Sequence, residues 1–147
     1  MADDHADATP RHSVSVAGVV VRDDGRILVV QRRDNGQWQP PGGVLELGET
    51  FDTGVRREVV EETGVHVDVD RLTGVYQNLT LGVVALVFRC RPVAGDPAPT
   101  EESARVEWLT LNEVCTHMRP VFTVRVVDAL GDVVEVRAHD GHHLVTG

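Results

Sequence analysis

The feature that most constrains this chain is a 23-residue stretch, residues 43–65, in which charged residues and glycines stand at fixed intervals. The pattern consists of Gly43, Glu49, Arg57, Glu58, Val59, Glu61, Glu62, Gly64 and Val65. Gly, Glu and Arg each make up only a small fraction of an average protein, so the seven glycines and charged residues of this pattern rarely coincide by chance. The stretch therefore predicts a specific site rather than a generic charged surface.

The second half of this stretch predicts a helix from about Phe51 to Thr63. Thr50 is a favourable N-cap residue, Asp52 complements the helix dipole in the first turn, and Gly64 suits the C-terminal cap. The carboxylates of the pattern are thus expected on a helix.

A helical wheel places two glutamates on the apolar side of that helix. With Phe51 at 0°, Glu62 lies at about 20° and Glu58 at about 340°, beside Val55 at about 40° and Val59 at about 80°. A solvated acidic face would lie opposite the apolar residues. Carboxylates one turn apart repel each other, and Mg²⁺ is a hard cation that prefers oxygen ligands. The spacing therefore predicts a divalent metal site.

Extended segments are predicted on both sides of the helix, and two more helices follow them. Segments 13–21 and 27–32 are expected to pair as a hairpin around an Asp-Gly turn. Further strands are predicted over residues 65–69, 74–77, 81–90 and 104–109, and a short helix after the capping-box pattern at Thr110. A last helix is predicted from Pro120 to about residue 130, although the Val-rich stretch there is also compatible with a strand. This order indicates an α/β fold with a mixed sheet.

Composition limits the class of protein. A chain of 147 residues fits one domain, and its net charge of −9 disfavours binding to a nucleic acid polymer. No apolar run is long enough to span a membrane, and the acidic start resembles neither a secretory signal nor a transit peptide, so a cytoplasmic location is expected. Cys90 and Cys115 are interpreted as reduced packing residues.

The expected organisation is a disordered tail over residues 1–12, one domain over residues 13–131, and a C-terminal extension or tail over residues 132–147. Three histidines near the end, His139, His142 and His143, resemble a metal-binding tract, but a solvated tail is the preferred interpretation.

The nine-residue pattern resembles the Nudix box, and every defining position of that box is present. The resemblance extends more weakly over most of residues 13–130. It implies a member of the Nudix (MutT-like) hydrolase family, with an α/β/α sandwich around a mixed sheet. Such proteins hydrolyse a pyrophosphate linkage in nucleoside diphosphate derivatives with Mg²⁺ or Mn²⁺, and we expect water to attack phosphorus.

The resemblance also implies roles for individual residues. The residues implied to bind metal or activate water are Glu58, Glu61 and Glu62. Arg57 would orient a catalytic carboxylate. Glu49 would stabilise the junction between loop and helix or bind metal through water, and the Gly42 carbonyl would complete the coordination. Which glutamate is the general base stays open, and Glu101 and Glu102 are candidates for an additional base.

Substrate contacts are predicted less directly. Arg32 and Arg33, at the end of the second predicted strand, would touch phosphate or else be solvated strand-end charges. Trp38 or Tyr76 would stack on a base or else belong to the core or its rim. The substrate stays open among ADP-ribose, an oxidised nucleoside triphosphate, a dinucleoside polyphosphate and a nucleotide sugar, and a homodimer is equally open.

Two alternatives to catalysis of this kind follow from the same resemblance. A catalytically silent nucleotide-sensing module would be expected to have substituted carboxylates, whereas all are present here. An isomerase acting on prenyl diphosphates would need further Cys and Glu motifs, which the sequence does not show. A divalent-metal-dependent pyrophosphohydrolase is the leading hypothesis.

Overall fold

A computed structural model describes residues 8–146, and within them the chain forms nine strands and three helices. Most of the predicted N-terminal tail, residues 1–7, lies outside the described residues, as does residue 147. The strands are β1 (Ser13–Val20), β2 (Ile27–Arg32), β3 (Trp38–Gln39), β4 (Gly42–Val44), β5 (His66–Asn78), β6 (Val83–Ala94), β7 (Ser103–Leu109), β8 (Glu135–His139) and β9 (Leu144–Val145). The helices are α1 (Phe51–Thr63), α2 (Leu111–His117) and α3 (Pro120–Ala129).

The strands form two sheets. The larger has the order β4-β1-β6-β5-β8-β9 and the smaller the order β3-β2-β7. Strand β1 is parallel to β6, and β5 is parallel to β8, whereas the other pairs are antiparallel. The larger sheet is therefore mixed, as predicted.

The predicted hairpin of the first two strands is wrong. Strand β1 pairs with β4 and β6 in the larger sheet, while β2 lies between β3 and β7 in the smaller one. Only an isolated bridge, between Val21 and Ile27, links the two segments at their turn. Their β-branched residues predict extended backbone, but they do not specify which strand is the partner.

Helix α1 has the bounds that its capping residues predict. The Thr50 side chain accepts a hydrogen bond from the Thr53 amide at 3.3 Å. Gly64 has a φ of 79°, a conformation that favours glycine, and its amide donates to the Val60 carbonyl at 2.9 Å. The predicted capping box at Thr110 is also present and begins α2.

Helices cover both sides of the sheets, which gives the α/β/α sandwich. On one side, α1 packs with Val55 and Val59 against a cluster that includes Val16 and Leu28. On the other side, α2 and α3 pack against a second cluster that includes Tyr76. Within residues 8–146, no helix is long and apolar enough to cross a membrane.

The expectation of a solvated tail is wrong for His139. Strand β8 pairs in parallel with β5, and His139 at its end is only 3% exposed. The Asp128 carboxylate of α3 anchors this strand, because it accepts hydrogen bonds from both Arg137 of β8 and Tyr76 of β5. His142 and His143 are exposed, as expected.

Candidate active site

Strand β4 passes directly over two carboxylates of α1. The Gly42 amide donates to Glu62 Oε2 at 2.6 Å. At Gly43, a Cβ atom would lie 2.6 Å from the carboxylate carbon of Glu58, so any side chain there would displace that glutamate. The glycine pair therefore lets the backbone approach the two carboxylates closely.

Arg57 is the centre of the hydrogen-bond network around these carboxylates. Its Nε and Nη2 donate to the two oxygens of Glu49 at 3.0 and 2.6 Å. Its Nη1 donates to Glu58 at 2.8 Å and to Glu61 at 3.3 Å. The hydrogen bonds from Arg57 and from the Glu46 amide lower the pKa of Glu49 to about 2. Glu49 thus fastens the loop to the helix, one of the two roles predicted for it.

The carboxylates of Glu58 and Glu62 lie in an environment that disfavours negative charge. Glu58 is 8% exposed and Glu62 is 4% exposed. Burial raises the pKa of Glu62 to about 8, the Gly42 amide opposes this, and the charges of Glu58 and Glu102 add to it. Burial also raises the pKa of Glu58, against the opposing effect of Arg57. A cation placed between these groups would relieve both the burial cost and the repulsion.

The donor set fits a hard divalent cation, although its coordination geometry is not preformed. Within the described range 8–146, no three His, Cys, Asp or Glu side chains converge as metal ligands. Instead, Arg57 donates hydrogen bonds to Glu58 and Glu61, and the Gly42 amide donates one to Glu62. Carboxylate oxygens are nevertheless the ligands that Mg²⁺ prefers, and it keeps several of its waters. Glu58, Glu61 and Glu62 are the residues that could hold the ion.

Other predicted residues border this site in different ways. Arg32 lines a neighbouring cavity, pairs with Asp34 at 2.7 Å, and has a charge that lowers the pKa of Glu62. Arg33 donates through Nε to the Thr100 carbonyl at 2.9 Å and so braces the loop before β7. That loop carries Glu101 and Glu102, which share a surface recess with Glu61.

The two predicted stacking residues, Trp38 and Tyr76, line different cavities. Tyr76 is fully buried, its hydroxyl donates to Asp128 at 2.7 Å, and it lines the cavity that begins at β4. Trp38 lies in a separate recess with Arg105 and His117, and the Trp38 and His117 ring centroids are 6.1 Å apart. Stacking of either side chain on a base stays a prediction.

A cavity of about 350 Å³ begins at β4 and extends toward α3. Among its lining residues are Arg32, Gly42, Gly43, Arg125 and His139. The last two were not predicted as site residues. For Arg125, the sequence contains a signal, namely a charged residue on the apolar side of a helix. On a helical wheel of the last helix, Arg125 lies about 40° from Val121, between Val121 and Ala129. No comparable pattern in the sequence places His139 at this cavity.

The fold and the site together define a class of structure. It is an α/β/α sandwich in which glutamates of one helix lie beneath a glycine-containing strand. The sequence model of the family described as NUDIX domain matches residues 11–129. The chain therefore belongs to the Nudix family of MutT-like hydrolases.

Individual relatives agree with this assignment. A MutT-like protein of Streptomyces ambofaciens is 59% identical over 141 residues, which cover 95% of this chain and 92% of the relative. An ADP-ribose pyrophosphatase of Methanocaldococcus jannaschii is 32% identical over 109 residues, covering 69% of this chain and 64% of that protein. The crystal structure of a NUDIX hydrolase from Nitrosomonas europaea has a TM-score of 0.77 at 22% identity, covering 89% of this chain and 81% of that one, which shows the shared fold.

Proposed function

We propose that this Nudix pyrophosphohydrolase cleaves a pyrophosphate linkage in a nucleoside diphosphate derivative, by attack of water at phosphorus, with Mg²⁺ or Mn²⁺ as its cofactor. The observation that carries the proposal is the buried pair of carboxylates, Glu58 and Glu62, beneath the glycines of β4. Burying a charge is costly unless an opposite charge compensates it or the group takes up a proton, so a cation beside this pair would stabilise its ionised form.

The metal would be held by Glu58, Glu61 and Glu62, with the Gly42 carbonyl proposed as a further oxygen ligand and Glu49 as a ligand through water. When bound, a divalent ion neutralises phosphate charge and lowers the pKa of a coordinated water. Arg57 contributes by fixing where these carboxylates stand, since one guanidinium binds three of the glutamates. Arg32 and Arg33 are proposed to contact phosphate.

Removal of a proton from the attacking water requires a carboxylate near the metal. Glu62 is proposed as that carboxylate, because it is buried beneath β4, and a bound cation would keep it in the ionised form that accepts a proton. Its Oε2 is oriented by the Gly42 amide. Glu102 is close enough to raise the pKa of Glu62, and together with Glu101 it stays a candidate for an additional base.

The partner proposed for this site is a small nucleotide derivative rather than a nucleic acid polymer. The M. jannaschii relative is named an ADP-ribose pyrophosphatase, which supports a nucleoside diphosphate linked to a second group as the substrate. A cytoplasmic location and a homodimer stay predictions.

A panel of candidate substrates tests this function against a silent nucleotide-sensing module. ADP-ribose, nucleotide sugars, dinucleoside polyphosphates and nucleoside triphosphates would be incubated with Mg²⁺ or Mn²⁺, and phosphate-containing products would be measured. We expect metal-dependent cleavage of at least one compound. Tight binding of a nucleotide in Mg²⁺, without product from any compound, would contradict the proposal and favour the module.

A further inference from the structure

The cavity beside the proposed catalytic site lies on the α3 side of the larger sheet. Its walls include apolar and aromatic side chains, namely Ala17, Leu81, Val83, Ala85 and Phe122. The carboxylates of α1 lie on the other side of the same sheet, and edge strand β4 borders both, through Gly42 and Gly43. A ligand in the cavity could therefore extend around β4 and place its pyrophosphate near Glu58 and Glu62.

Arg125 is the charged residue at the far end of this cavity. It is only 9% exposed, and its Nε is the buried side-chain nitrogen or oxygen that lacks a hydrogen-bond partner among residues 8–146. Its guanidinium carbon lies 5.0 Å from the ring centroids of both Tyr76 and Phe122. Burial lowers the pKa of Arg125 to about 10, so the side chain is still a cation at neutral pH.

His139 adds a second donor at the same place. Its Nδ1 accepts a hydrogen bond from the Gly141 amide at 3.0 Å, so the neutral ring carries its proton on Nε2. Burial, followed by the charge of Arg125, lowers the pKa of His139, and the ring is therefore neutral at neutral pH. Nε2 lies 3.3 Å from Arg125 Nη2, and in this tautomer neither group provides an acceptor for the other.

We propose that Arg125 and His139 form a specificity site that binds the carbonyl oxygen of an oxo-substituted nucleobase. Buried donors are normally satisfied by an acceptor, and Arg125, whose Nε lacks one, lines together with His139 a cavity that can admit one. The proposal rests on the proposed function, because a nucleotide derivative cleaved at its pyrophosphate must have its nucleoside placed nearby.

A base fits this cavity better than a second anionic group. Small-molecule sites are mostly apolar with a few placed polar groups, and the cavity walls have this character. Arginine binds the oxygen and ring nitrogen at the edge of a 6-oxopurine with two hydrogen bonds, whereas the amino group of adenine would point a donor at it. An oxo group is therefore expected to be preferred over an amino group at the same ring position.

Two pairs of nucleoside monophosphates isolate this difference. IMP and AMP differ at carbon 6, and UMP and CMP differ at carbon 4, with an oxo group in the first member of each pair. Their affinities would be measured by titration calorimetry on the wild-type protein. We expect the oxo member to bind roughly 10-fold to 100-fold more tightly in at least one pair, as discrimination by paired hydrogen bonds allows.

Substitutions then assign that preference to the two residues. Arg125→Met keeps an apolar side chain of similar length, and we expect it to abolish the preference and leave the affinity for AMP or CMP nearly unchanged. His139→Phe, which removes the Nε2 donor, should reduce the preference and serves if Arg125→Met fails to fold. Arg91→Met is the control, because Arg91 is exposed and pairs with Asp68 and Asp70 far along β6. Circular dichroism checks the fold of each variant.

Three results would overturn the proposal. The first is that the wild type binds both members of each pair equally or prefers the amino members, and the second is that it binds none of the four compounds. The third is that Arg125→Met loses the same amount of affinity for both members of a pair. The last would mean that Arg125 binds the phosphate or ribose. Monophosphates contain no pyrophosphate linkage, so their affinities can be compared whether or not the protein is an active hydrolase. Absence of pyrophosphate cleavage would contradict the proposed function alone, and the preference for an oxo group would still be measurable.

Discussion

Glu49 and Arg57 form a two-point contact in which Arg57 Nε and Nη2 each donate to one oxygen of the Glu49 carboxylate, at 3.0 and 2.6 Å. The contact joins the loop after β4 to the middle of α1. The same guanidinium also reaches Glu58, so the position of a proposed catalytic carboxylate depends on it.

Arg57→Lys is expected to lower activity roughly 10-fold to 100-fold, the usual cost of losing a group that orients metal ligands. A lysine ammonium cannot reproduce the planar pair of donors to Glu49. The measurement is kcat/KM on the best substrate of the panel. Arg56→Lys is the matched control, because Arg56 is exposed and lies 3.8 Å from Asp52. Full activity in Arg57→Lys would contradict this positioning role.

Gly43→Ala is expected to lower activity strongly, because the new Cβ would lie 2.6 Å from the Glu58 carboxylate carbon and would displace it. At Gly131, a Cβ would come no closer than 3.4 Å to the Asp128 carbonyl, an ordinary contact, so Gly131→Ala serves as the control. Activity and thermal unfolding of both variants would be compared. Unchanged turnover in Gly43→Ala would show that Glu58 does not need this position.

How well the sequence predicts this protein differs between its parts. Helix α1 is predicted at both ends, because Thr50 and Gly64 act locally and their effect does not depend on the rest of the fold. The predicted hairpin of β1 with β2 is wrong, because the parallel partner of β1 is β6, which lies more than 60 residues away along the chain. Extended character is encoded locally, whereas the choice of partner depends on the packing of the whole domain.

The candidate site shows the same division. Glu58 and Glu62 are found from the helical wheel because both lie on one helix. Arg125 and His139 come from separate elements, α3 and β8, and only the tertiary fold brings them to 3.3 Å. The sequence leaves Tyr76 open between stacking and packing, because its hydrogen bond to Asp128 spans 52 residues of the chain and depends on the tertiary fold.

Tyr76→Phe is expected to lower the free energy of unfolding by about 1–3 kcal/mol, the cost of removing one partner of a buried hydrogen bond. The hydroxyl donates to Asp128, which also holds Arg137 of β8. Chemical denaturation of wild type and variant measures the difference. A variant as stable as the wild type would contradict the view that this contact anchors the C-terminal strand.

Stability of the metal-free protein is expected to fall as pH rises through about 8. The pKa of Glu62 in the folded protein, about 8, is above its ordinary value of 4.5, so the folded state binds this proton more tightly than the unfolded state. The resulting stabilisation is complete below about pH 4.5 and is lost as pH rises through the folded pKa.

Thermal unfolding at pH 5 and pH 8.5, with chelator or with Mg²⁺, checks this expectation. In chelator, Glu62→Gln should unfold at a higher temperature than the wild type at pH 8.5 and should lack this part of the pH dependence. Mg²⁺ should stabilise the wild type more at pH 8.5 than at pH 5, because ligands bind metal in their deprotonated form. A wild type with the same pH dependence as Glu62→Gln would contradict the assignment.

The central claim is that the carboxylates of α1 carry out metal-dependent hydrolysis, and turnover of Glu62→Gln tests it most directly. The change removes the charge and keeps the shape, so the fold should be retained, as circular dichroism would show. Glu107→Gln is the control, since Glu107 is partly exposed and pairs with Arg105 on β7. We expect kcat of Glu62→Gln with Mg²⁺ to fall by orders of magnitude and Glu107→Gln to retain full activity. Wild-type turnover in a folded Glu62→Gln protein would contradict it.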